Sequence, residues 1–443
     1  MKQYKYGFFT AVAMITGIVI GSGIFFKSDN ILEYTNGNVL LGVLVFIVAA
    51  FAIIFGSLTI SQLARRTDKA GGVITYFDEF IGTDFSRAFG WFQLFLYMPT
   101  LSAVIPWVVG IYLCQLFGID GNNLTFTLLG LIVIVVLYSI NILSSRLGGY
   151  FQNAATIIKL IPLIIIAVFG LIFGHPVQTF SSDLSNIKSS FVSTGWYAAF
   201  APIAFSFDGW VVSTSICHEI KNSKRNLPLA LIISPLLILA FYIIYFVGIT
   251  SFLGVDNVIS LGDTSAYLAA NKIFGDFGGK LLLIFIIISV LGTANGLILG
   301  YIRIPYSLAI RNMIPGSYFF AKESKKFNGI PVNSAFFSFA ITLVWLLIHF
   351  ITQEYQIPGD VSEISIAFSY LLYIVLYVAV LRMLRKEKNE GIIMRYIVPI
   401  FAILGSLIIF CGSISNPMFA ASCLICAMTL VAGFFYNRKR KLS

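Results

Sequence analysis

Runs of about twenty apolar residues recur twelve times along this 443-residue chain, at 7–35, 38–63, 87–117, 123–143, 148–173, 191–217, 227–252, 279–302, 333–352, 360–382, 393–413 and 416–436. Each is long enough to cross roughly 30 Å of hydrocarbon as a helix. The stretches between them are too short to form a separate soluble domain. Charged residues make up only 11% of the chain, against about 25% in soluble globular domains. The expected class is an all-α integral membrane protein of twelve transmembrane helices.

Charge placement sets the expected orientation. Of the 29 Lys and Arg, 24 fall on one side of a twelve-span arrangement: the N-terminus, 65–87, Arg146, 221–225, 303–326, 382–395 and the closing 438–441. By the positive-inside rule that side is cytoplasmic and both termini lie there. The net charge of +10 then reports topology, and no nucleic-acid partner is expected. The first apolar run outlasts a signal-peptide core and lacks a small-residue cleavage site, so no cleavable leader is expected. Cys114, Cys217, Cys411, Cys423 and Cys426 suggest no disulfide framework. Cys423 and Cys426 sit inside an apolar run, where helix packing outweighs redox or metal chemistry. His175, His218 and His349 are too scattered for a zinc site, and neither metal nor cofactor is expected. Asn123-Leu124-Thr125 is a formal glycosylation sequon in an outer loop and carries no further inference.

The first run contains GIVIGSGIFF, residues 17–26. A single glycine in a membrane helix serves close packing, a reading that suits Gly42 or Gly130. Gly17, Gly21 and Gly23 lie on more than one face, and Gly-Ser-Gly in succession favours unwinding. Unwound backbone at membrane depth must be buried in protein or line a wet cavity. Segment six, FAPIAFSFDGWVV at 200–212, is irregular as well. It places Pro202, Asp208 and Gly209 in one apolar span, where an aspartate costs about 2.5–3.5 kcal/mol to insert. Segments one and six are five spans apart, so the second set enters from the opposite face. An inverted repeat of five plus five helices follows, with broken helices at corresponding positions and a site between them near the midplane. Half-helix N-termini there favour an anion, and freed carbonyls favour a cation. An α-amino acid carries both charges close together.

At these residues the chain resembles the L-type amino acid transporter family of the amino acid–polyamine–organocation superfamily. The motifs are GIVIGSGIF (Gly17 to Phe25), FSFDGW (Phe205 to Trp210) and EIKNSKRNLP (Glu219 to Pro228). The likeness spans essentially the whole chain and is greatest to bacterial exchangers of small neutral amino acids, such as alanine–serine–cysteine or serine/threonine exchangers. It implies the LeuT fold in one transporter domain: helices 1–5 over 6–173, helices 6–10 over 191–383, helices 11–12 over 393–436, and a basic tail at 437–443. It also implies a substrate site. Backbone amides of Gly21, Ser22 and Gly23 would hold the carboxylate, and carbonyls of Val19, Phe205 and Asp208 the amino group. Phe205 would be the aromatic lid toward the outside. The family often has threonine where Ile18 stands and glutamate where His218 stands; neither departure is assigned a role.

Lys159 lies eleven residues past Gly148, about 17 Å along a helix and hence near the midplane. A lysine there cannot snorkel cheaply. In the family a lysine at this place stands where sodium sits in sodium-coupled relatives. The expected partners are carbonyls near Gly17 and Ile18, with Thr293 or Asn295 of segment eight close by. Lys27 and Glu33 read as flanking the outer end of segment one, with Lys27 snorkelling outward.

The expected activity is sodium-independent exchange of small neutral L-amino acids by alternating access in a bacterial inner membrane. Two alternatives stay open: a proton-coupled symporter in which Lys159 gives up its proton, and a cationic amino acid or amine antiporter. The spans contain no HExxH, no GxGD and no paired catalytic carboxylates, so an enzyme is not expected. Eukaryotic relatives pair with a heavy subunit through a cysteine in the outer loop after segment three. Residues 117–122 read FGIDGN, so no disulfide-linked subunit is expected.

Overall fold

A computed structural model of the chain describes residues 7–21, 23–67, 72–143, 158–192, 195–211, 222–324, 330–357, 361–387, 390–416 and 418–436. Among them the regular structure is helical, apart from one isolated antiparallel bridge between Ser324 and Ile330. Eight helices are long and apolar enough to cross a membrane on their own, and a bent pair, Leu160–Phe173 with Pro176–Val192 at 81°, would make a ninth. Several ends match the expected segments closely. The segment expected at 38–63 is the helix Val39–Ala64, that at 123–143 is Asn123–Leu143, and that at 333–352 is Val332–Glu354. Segments one and six are short broken helices instead. The chain separates into two compact units, each assembled from distant stretches.

The first unit comprises Met1–Asp68, Thr156–Ser289 and Tyr373–Ser415. Here Val39–Ala64 packs against both Ser223–Leu253 and Val398–Gly412. Small residues set the spacing. A Cβ at Gly170 would stand 2.4 Å from the Gly248 carbonyl oxygen, so Leu160–Phe173 and Ser223–Leu253 meet backbone to backbone. Gly42 instead receives the Phe246 ring, 2.8 Å from its virtual Cβ. The start of Val39–Ala64 is capped twice. Asn38 Oδ1 accepts from the Leu41 amide at 2.8 Å, and Asp183 Oδ2 accepts from the Leu40 amide at 3.1 Å. Both bonds satisfy amides that a helix start leaves without partners.

The second unit comprises Lys69–Ala155, Val290–Leu372 and Asn416–Ser443. Met98–Phe117 packs on Asn123–Leu143 and Val332–Glu354, and Thr83–Phe92 on Phe419–Phe435. Gly130 sits against the Pro106–Trp107 backbone. A π-helical turn at Gln93–Tyr97 interrupts the span Thr83–Phe117. Side chains bond the carbonyls of this turn: Tyr301 to Leu94 at 2.6 Å, Trp345 to Phe95 at 2.7 Å and Thr100 to Leu96 at 2.7 Å. Cys426 is buried in the Phe419–Phe435 helix.

Candidate functional site

The candidate site lies in the first unit, where two broken helices meet. The helix Phe8–Val19 stops at Ile20, whose ψ of 105° is extended. Helical structure resumes for one turn at Gly23–Phe26 and again at Ser28–Tyr34. Ser22 lies outside the described residues. Segment six runs as a 3₁₀ turn, Trp196–Ala199, then the helix Phe200–Ser206. A turn follows through Phe207 to Gly209, whose φ of +92° is a conformation that glycine adopts readily. Within this turn the Asp208 amide donates to the Phe205 carbonyl at 3.1 Å.

The two breaks touch. A Cβ at Gly23 would lie 2.7 Å from Ser206 Cα and 3.1 Å from Phe205 Cδ1, so only glycine permits this approach. Gly17, Val19, Gly21, Gly23 and Phe205 are buried, and Asp208 is half-buried. Tyr242, fully buried on the Ser223–Leu253 helix, spans the two helix ends. Its hydroxyl donates to the Ser206 carbonyl at 2.8 Å and reaches the Val19 carbonyl at 3.3 Å. One phenolic proton is thus shared by the last carbonyls of both half-helices. The Val19 and Phe205 oxygens each have a donor in this conformation, and a carbonyl's second lone pair leaves each with acceptor capacity.

Lys159 stands just before the helix Leu160–Phe173 and is fully buried. Its ammonium donates to the Gly17 carbonyl oxygen, three residues before Ile20. The backbone of Ile18 lies in the same last turn. Thr293 and Asn295 belong to the second unit, where Asn295 Oδ1 accepts from Asn141 Nδ2 at 2.8 Å. Thr16, preceding Gly17, has a buried hydroxyl with no hydrogen-bond partner among the described residues.

Lys27 corrects an expectation. It is 4% exposed, and its ammonium lies 5.2 Å from the centroid of the Phe205 ring. It does not snorkel outward, because the chain does not end its helix there. Lys27 is a single non-helical residue (φ −123°, ψ 0°) between Gly23–Phe26 and Ser28–Tyr34, which keeps it inside the packing.

Sequence reasoning missed Tyr242 and Tyr245. The Tyr245 ring meets Phe25 edge-on at 5.5 Å, and its hydroxyl is buried without a partner among the described residues. The available signal was their spacing: tyrosines at i and i+3 inside an apolar run put two hydroxyls on one helix face at membrane depth.

The family model for amino acid permeases matches residues 6–441. The serine/threonine exchanger SteT of Bacillus subtilis (strain 168) is 28% identical over 442 residues, 99% of this chain and 97% of the relative. The b(0,+)-type amino acid transporter 1 of Homo sapiens is 27% identical over 452 residues, 98% of this chain and 87% of the relative. The Asc-type amino acid transporter 1 of Homo sapiens is 25% identical over 451 residues, covering 97% and 81%.

Proposed function

The chain belongs to the amino acid permease family, and from that premise we propose that it is a sodium-independent exchanger of small neutral L-amino acids. The observation that carries the reading is the buried Lys159 ammonium on the Gly17 carbonyl, where the first broken helix ends. A substrate zwitterion meets two kinds of backbone group. Its carboxylate is held by amides at Gly21, Ser22 and Gly23, and its amino group by the carbonyls of Val19, Phe205 and Asp208. The close approach of Gly23 to Ser206 supports this, because it brings both breaks to one place. Phe205 is the lid on the outer side.

Lys159 takes the place of a coupling ion. A buried ammonium needs oxygen partners, since an unpaired one would cost several kcal/mol. An ammonium fixed to the chain satisfies the freed Gly17 carbonyl with no need of sodium. It also ties the half-helix Phe8–Val19 to the helix that follows Lys159, so the tilt of one is felt by the other. The likeness to the serine/threonine exchanger SteT supports the exchange reading, and the likeness to the two amino acid transporters supports the substrate class. In the membrane the chain makes twelve spans in a LeuT-type arrangement, with a five-plus-five inverted repeat and both termini cytoplasmic. It sits in the plasma membrane without a disulfide-linked heavy subunit.

The test is uptake of labelled serine into proteoliposomes. Vesicles preloaded with a neutral amino acid should take up label at least tenfold faster than empty ones, with or without a sodium gradient. Equal uptake in the two preparations, or uptake that requires sodium, overturns the reading. Net uptake into empty vesicles driven by a proton gradient would favour the symporter alternative.

A further inference from the structure

Lys27 is buried at a place where a lysine pays heavily for leaving water. Its ammonium lies over the face of the Phe205 ring, 5.2 Å from the centroid. The same ring covers Gly23, with Phe205 Cδ1 3.1 Å from the virtual Cβ of that glycine. Gly23 and Lys27 are four residues apart, bracketing the single turn Gly23–Phe26, a spacing that puts two residues on one face. The ring is therefore contacted from both ends of that turn, by the close approach of Gly23 at one and by the Lys27 ammonium at the other. A cation is attracted to the face of an aromatic ring, and the attraction grows as both partners lose water. Moving the ring off Gly23 would strip the ammonium of that contact while it is still buried. Asp29, two residues on, is the nearby acid that feels the charge of Lys27.

We propose that Lys27 is a positioning residue for Phe205, a latch that holds the ring over Gly23 and sets how readily the site opens on that side. The role of Phe205 as a lid rests on the exchanger reading; the hold of Lys27 on the ring is measurable without transport. Ser206 is the reporter. It is 1% exposed, and its hydroxyl oxygen, like Phe205 Cδ1, lies 3.1 Å from the virtual Cβ of Gly23, so its reactivity reports whether the contact of Phe205 and Ser206 with Gly23 has opened.

In a background with the native cysteines replaced, Ser206→Cys is labelled in proteoliposomes with a small membrane-impermeant methanethiosulfonate. The parent is expected to react slowly and Lys27→Met at least tenfold faster. Lys27→Arg, which keeps a cation, should stay within threefold of the parent, as should Asp29→Asn. Lys27→Gln serves the same purpose if Lys27→Met does not insert, and Phe205→Ala gives the rate with the ring absent. In exchange assays, Lys27→Met should raise KM for external serine at least fivefold with a smaller change in kcat. Equal labelling of parent and Lys27→Met, or labelling of Lys27→Arg as fast as Lys27→Met, overturns the latch even where exchange is normal. Absence of exchange in every preparation refutes the exchanger reading and leaves the labelling comparison to decide the latch.

Discussion

Three residues at the two helix breaks allow the proposed site to be tested by substitution. Replacing Lys159 by alanine removes the donor to the Gly17 carbonyl. A buried acceptor left unpaired costs about 1–3 kcal/mol, and a vacated polar pocket that admits water lowers that cost. Exchange by Lys159→Ala should fall tenfold or more while the protein still elutes from size exclusion as one folded species; exchange at the normal rate would refute the role. Gly23→Val should abolish exchange and leave insertion intact, because its Cβ would stand 2.7 Å from Ser206 Cα. Retained amino acid affinity in the purified variant would contradict the assignment. Tyr242→Phe deletes the proton shared by the Ser206 and Val19 carbonyls. Slower exchange at normal expression is expected, and an unchanged turnover number would show that the bridge is dispensable. Gly17, Gly21, Gly23 and Lys159 were legible in the sequence because glycines and a lysine are costly in an apolar helix and so stand out. Tyr242 was not, since a tyrosine in an apolar run packs as readily as it donates. The burial of Lys27 was not legible, because an apolar run does not reveal that the helix breaks and resumes at that residue.

Helix contacts follow a simpler rule, in which glycine position decides how closely two backbones lie. The Gly170–Gly248 contact is backbone on backbone, so neither partner can step aside. Gly170→Val must push the C-terminal part of Leu160–Phe173 away from Ser223–Leu253. Gly42→Ala faces side chains, the Phe246 ring at 2.8 Å and Ile31 Cγ2 at 3.2 Å, which can shift where a backbone cannot. Overpacking costs about 1–3 kcal/mol, and thermal unfolding in detergent should show the larger loss for Gly170→Val. The reverse order would mean that these helices are not packed at their glycines. The extents of the regular helices were readable from apolar run length, which is why Asn123–Leu143 falls where expected. The π turn at Gln93–Tyr97 was not readable. Its carbonyls are bonded in part by Tyr301 and Trp345, more than 200 residues away, and no local pattern encodes such partners.

For the whole molecule, the distribution of Lys and Arg predicts which face each loop occupies. Ser182 and Lys322 are both exposed and suit single-cysteine labelling in a cysteine-free background. Cysteine at 182 should react from outside the cell and cysteine at 322 only from inside; reaction of both from one face would end the twelve-span arrangement. The attachment of the site's buried cation to the chain has a thermodynamic consequence. A sodium ion is released on the far side and spends its gradient with each cycle; in the proposed exchanger the Lys159 side chain stays covalently bound and is never delivered. Zwitterion exchanged for zwitterion also moves no net charge, so membrane voltage should supply no driving force for it. Such a protein cannot concentrate anything unaided. At equilibrium every amino acid it accepts must reach the same inside-to-outside ratio, so a gradient built elsewhere for one of them is copied onto the rest.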